Sequence, residues 1–193
     1  MAQGDAVSGP SWDGFDLGAE AAIAAACAIP AGEGPRGFRL EREGPEPSGG
    51  APARLVLEAW AMTEPELLVE VARAVAAVVT GAGSGGGAAD DEERSVALDA
   101  EDTASRLLAW IDQLLAWARR DGFVTDDGTL RLADPGRLTG VARGGRWAQL
   151  PAVSLEPTED DLFVAATCSR WIARVELAPR SPSRAGRPQA NRS

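Results

Sequence analysis

The side chains here that could do chemistry are carboxylates. Aspartate and glutamate number 29 together, histidine and tyrosine are absent, and all 19 basic residues are arginine, so lysine is absent too. Without histidine there is no Ser-His or Cys-His nucleophile pair and no imidazole metal ligand. Without lysine there is no Schiff base and no phosphate-loop lysine. Two acidic runs remain: Asp90-Asp91-Glu92-Glu93, and Glu156 with Glu159, Asp160 and Asp161. Calcium needs six to eight oxygens around one point, and neither run alternates as a calcium loop does. Solvated acidic turns are the expectation for both, and a hydrolase built on Glu159 to Asp161 is the least supported activity. Cys27 and Cys168 have no partner at metal or redox spacing and read as small unpaired hydrophobes. The Gly81 to Gly87 run lacks the dinucleotide-fingerprint spacing and follows a helical pattern, so it reads as a linker.

The elements that would position these groups follow from periodicity. Gly37 to Arg42 alternates Phe38 and Leu40 with Arg39 and Glu41, as a half-buried strand does. Arg54 to Trp60 is a second strand, with Glu43 to Pro52 as the loop between them. Thr63 with Glu66 forms a capping box, and Pro65 sits in the tolerant first turn. Leu68, Val71, Val75, Val78 and Val79 then recur at helical spacing until Gly81. Arg94 to Leu98 is a short strand. A second helix starts at the Asp102 cap and carries Leu107, Leu108, Ile111, Leu114, Leu115 and Ala118 on one stripe. Trp110 and Trp117 share a face, where core packing or a partner surface is the expected role. Arg119 and Arg120 suit the end of that helix, and Asp121-Gly122 stops it. Phe123-Val124 and Thr129 to Leu132 read as strands joined by an Asp126-Asp127-Gly128 hairpin turn. Arg137 to Arg143, Ala152 to Leu155, Leu162 to Thr167 and Trp171 to Leu177 complete the set. The order β-β-α-β-α followed by a β meander predicts an α+β domain, two helices on one mostly antiparallel sheet.

A chain of 193 residues suits one domain. Residues 1–35 and 180–193 lack apolar periodicity and are expected to be a flexible N-terminal segment and a flexible basic tail around a domain over 36–179, although Ala19 to Ile29 has the pattern of a short helix. Its apolar stretch, Ala21 to Ile29, is too short to cross a bilayer and has no basic flank of the signal-peptide kind, so cytoplasm is the default reading. Net charge is −10. Four arginines (Arg180, Arg184, Arg187 and Arg192) lie in the tail with no acid, so the remainder carries 15 − 29 = −14. A body this acidic repels phosphate backbones, which argues against nucleic-acid binding by the domain surface.

Taken in order, these segments resemble the archease family, a small protein cofactor of the RNA-splicing ligase that joins tRNA halves. Leu55 to Thr63 (Leu-Val-Leu-Glu-Ala-Trp-Ala-Met-Thr) is similar to the family's strand and turn into its first helix. Val96-Ala97-Leu98-Asp99 and the helix carrying Leu107 to Leu115 are similar to its next strand and second helix. Leu138 to Gly144, Ala152-Val153-Ser154-Leu155 and Trp171 to Leu177 resemble its later strands. The resemblance spans about Phe38 to Pro179. It implies the same α+β fold, no enzymatic activity of its own, and a role in ligase guanylylation and turnover in which a bound metal takes part.

The departures fall on the ligands that the resemblance implies. The family's aspartate before the second strand is replaced here by Arg54. Its histidine falls on Glu156, and the aspartate ending its last strand falls on Ala178. An arginine about 4 Å from a divalent ion would be repelled by about 8 kcal/mol at an effective dielectric near 20. No metal, cofactor or catalytic residue is therefore expected. The implied partner is a protein: an RNA-splicing ligase, or another protein bound by a metal-free, diverged scaffold. Limited proteolysis should trim the chain to a core close to Phe38–Pro179, and full protection of the first thirty-five residues would show the boundary to be misplaced.

Overall fold

A computed structural model describes residues 34–43, 54–81, 91–134, 136–147, 150, 155–158, 162–167 and 169–179, all within the unit Ala31–Ser193. The expectations for residues 1–33, for most of the 43–52 loop and the 81–91 linker, for the strand before Leu155, for Cys27, Cys168 and Glu159 to Asp161, and for the tail lie outside the described residues.

The elements run β1 (Gly37–Glu43), β2 (Arg54–Ala61), α1 (Glu64–Thr80), β3 (Asp91–Asp99), α2 (Thr103–Asp121), β4 (Phe123–Asp134), β5 (Arg137–Arg146), β6 (Leu155–Pro157), β7 (Phe163–Ala166) and β8 (Trp171–Pro179). The α+β class and the β-β-α-β-α order are as the sequence predicts. The strands form two sheets in place of one. β1-β2-β8 continue into β6 and β7, which both pair with β8, and β3-β5-β4 form the second sheet. Every pairing among the described strands is antiparallel.

Three local expectations are corrected. Asp126-Asp127-Gly128 is not a hairpin turn: β4 runs on through it, with a register shift between Thr125 and Asp127. Gly128 is there for closeness, since a Cβ would come within 2.9 Å of the Val141 carbonyl oxygen on the neighbouring strand. The chain reverses instead beside Gly136, whose φ is 97°. Asp91, Glu92 and Glu93 open β3 and do not form a solvated turn, because each faces a residue of β5 in register. The strand read as Arg137 to Arg143 continues through Gly144 and Gly145 to Arg146.

Helix α1 begins as its capping box dictates. Thr63 Oγ1 accepts from the Glu66 backbone N–H at 3.4 Å, and Glu66 accepts in return from the Thr63 N–H at 3.1 Å. Asp102 caps α2 by accepting from the Ser105 N–H at 2.7 Å. Gly122 ends α2 at φ 66°, a left-handed conformation that costs glycine little. The apolar stripes pack into one core with Leu57, Val175 and Leu177 from the first sheet and Val96, Leu130 and Leu138 from the second. Trp110 and Trp117 belong to it, meeting edge to face at 6.0 Å. No helix among the described residues is long and apolar enough to cross a membrane.

Two polar contacts within this core fix how the helices meet. Arg106 Nε donates to Glu64 at 2.9 Å with both side chains buried. One turn further along each helix, Trp110 Nε1 donates to the Leu68 carbonyl oxygen at 2.8 Å. The two contacts advance together, so α1 and α2 run parallel. Arg106→Met or Glu64→Gln alone leaves a buried group without its partner and should cost about 3 to 5 kcal/mol in urea unfolding. The double change should recover much of that loss; strictly additive losses would show that the pair is not a unit.

Candidate functional site

The positions singled out in the sequence meet at one end of the first sheet. Glu156 of β6 pairs in register with Ala178 of β8. On the other side of β8, Leu177 pairs with Leu55 of β2, and Arg54 is the next residue outward. Arg54, Ala178 and Glu156 thus follow one another across three neighbouring strands. Alternation puts them on the face opposite Leu55, Leu57 and Leu177, which belong to the core.

That face carries two buried carboxylates that the sequence reading did not single out. Glu176 is 7% exposed and Glu58 likewise. Arg54 Nε lies 3.2 Å from Glu176 Oε1, the arginine being 64% exposed. Glu58 stands in register between Arg39 and Arg174, with their Nε atoms 3.7 and 3.9 Å from its oxygens. Burying a carboxylate is costly unless a cation or hydrogen bonds compensate it, and here arginines on adjacent strands supply that charge. Strand alternation marks Glu58 and Glu176 as belonging to the face of Arg54. Which arginine each meets depends on register, and no local signal gives that.

The first acidic run is arranged quite differently. Glu92 accepts from Arg94 Nε at 3.0 Å and from Arg146 Nε at 2.6 Å. Arg94 reaches on to Asp121 at 2.6 Å, and Arg120 meets the same carboxylate at 3.1 Å. The Arg94 guanidinium also lies over the Phe123 ring, 4.2 Å from its centroid. Glu93 pairs with Arg143 at 2.8 Å. Among the described residues no group of three or more acidic, histidine or cysteine side chains could hold a metal ion.

The family model described as "Archease protein family (MTH1598/TM1083)" matches residues 51–156. This chain belongs to the archease family. No curated protein matches it. Among solved structures, Methanobacterium thermoautotrophicum protein 1598 is 21% identical, with a TM-score of 0.47 over 74% of this chain and 98% of that one. An archease and possible chaperone from Thermotoga maritima is 14% identical, with a TM-score of 0.48 over 72% and 99%.

At the strand end of this archease-family chain, Arg54 brings a cation beside Glu176, and Ala178 brings only a methyl group. In β3, arginine hydrogen bonds hold Glu92 and Glu93. Those bonds leave a trace in acid. The guanidinium of Arg146 and, behind it, that of Arg94 hold the Glu92 carboxyl below its usual value. Hydrogen bonds from Arg120 and then Arg94 bring Asp121 down to about 2. A carboxyl lowered in the folded state adds stability that is present above its unfolded value of about 4 and is lost as the pH falls through the folded one. Thermal unfolding measured from pH 4 to pH 2 should therefore show a falling limb that is shallower in Asp121→Asn. An unchanged slope in that variant would remove Asp121 from the account.

Proposed function

We propose that this protein is a non-enzymatic cofactor that activates an RNA-splicing ligase, promoting the ligase's guanylylation and turnover in the cytoplasm. The observation that carries this reading is the family match over residues 51–156, which includes both helices, β2 to β5, Arg54 and Glu156. The chain's own chemistry agrees with it. The sequence has no histidine and no lysine, and arginines flank Glu58, Glu92 and Asp121, so none of these three carboxylates is placed as a general base. Its acidity disfavours direct contact with RNA and favours a basic protein surface.

A second reading, a metal-free scaffold serving another protein, is favoured by one specific observation: the Arg54–Glu176 pair at the end of the first sheet. An assay with a purified RNA-splicing ligase separates the two. Under the first reading, the full chain added at equimolar amount increases ligase guanylylation and converts single-turnover joining to multiple turnover. A ligase whose guanylylation and turnover are both unmoved would sink the first reading. Capture of that ligase from native lysate should accompany activation.

A further inference from the structure

We infer that Arg54 is the resident cation of the strand-end site, so that its guanidinium takes the charge position of a divalent ion and the site operates without metal. This concerns the charge at the site and goes beyond the choice of partner. Glu176 is buried, and Arg54 on the neighbouring strand brings its Nε to 3.2 Å. At that distance the two groups form an ion pair across adjacent strands. An ion seated against Glu176 would have to lie beside that guanidinium, where like charges repel. Ala178, level with Glu156 across β8 and β6, gives such an ion no oxygen from its side chain in return. The same face repeats the arrangement at Glu58, flanked by Arg39 and Arg174. Both buried carboxylates of this face thus have guanidinium groups beside them.

The test uses the full chain with calcium chloride and, separately, magnesium chloride, followed by titration calorimetry and thermal unfolding. The unmodified protein should give no saturable heat and no change in Tm. Arg54→Asp combined with Ala178→Asp removes the cation and adds two carboxylates beside Glu156 and Glu176. That double variant should gain saturable calcium binding, with Tm rising by about 5 to 10 °C at a hundredfold excess over Kd, and neither single change should match it. Saturable calcium binding by the unmodified chain would overturn the inference, as would a folded double variant that ignores calcium. Should the double variant fail to fold, the titration of the unmodified chain decides the matter. Neither readout involves a ligase, so this inference and the proposed activity stand or fall separately.

Discussion

Helix α1 lies against strands from both sheets and against α2, and it is buried along most of its length. An apolar helix surrounded in this way has many near-equivalent rotations and slides available to it. Hydrophobic burial is non-directional and does not choose among them. The choice is made by two hydrogen bonds one turn apart, Arg106 to Glu64 and Trp110 to the Leu68 carbonyl. Each pins the same offset between the helices, so a slip of one residue breaks both. With that offset set, Leu114 and Leu115 of α2 and Val71 and Val75 of α1 become parts of one core, and the two sheets close over it.

The helices were the most legible part of the sequence because their signals are local. A capping box, a proline in the first turn, an aspartate cap and a terminal glycine each act within four residues, and all four stand where the sequence put them. β4 departs from its local signal for the same reason. Asp-Asp-Gly is a turn signal in isolation, but Gly128 answers to a neighbouring strand that sequence does not display. The partition into two sheets was hidden as well, since it depends on which strands pair at long range. So was the burial of Arg106, whose partner Glu64 lies 42 residues away in the sequence.

Legibility at the strand-end site divides along the same line. The family resemblance points to Arg54, Ala178 and Glu156, and strand register sets them side by side. Their electrostatic surroundings could not be read that way. Glu58 and Glu176 look in the sequence like ordinary solvent-facing members of alternating strands, yet both are buried. Their arginine partners come from separate strands. Arg39, Glu58 and Arg174 are drawn from β1, β2 and β8, which only the folded sheet assembles.

The pairing of β2 with β8 also bears on how the protein is made. Leu55 meets Leu177, so a strand from the start of the described fold waits for one near its end. Contacts of such wide sequence separation form slowly, because a long loop must close before they are rewarded. A chain emerging from the ribosome can form α1, α2 and the β4–β5 hairpin from neighbouring residues. The far side of β2 stays without its partner until β8 is released. Until then it presents unpaired backbone of the kind that recruits other strands. The three-stranded sheet, assembled from nearer segments, has no comparable wait, so the two halves of this fold are completed at different moments of synthesis.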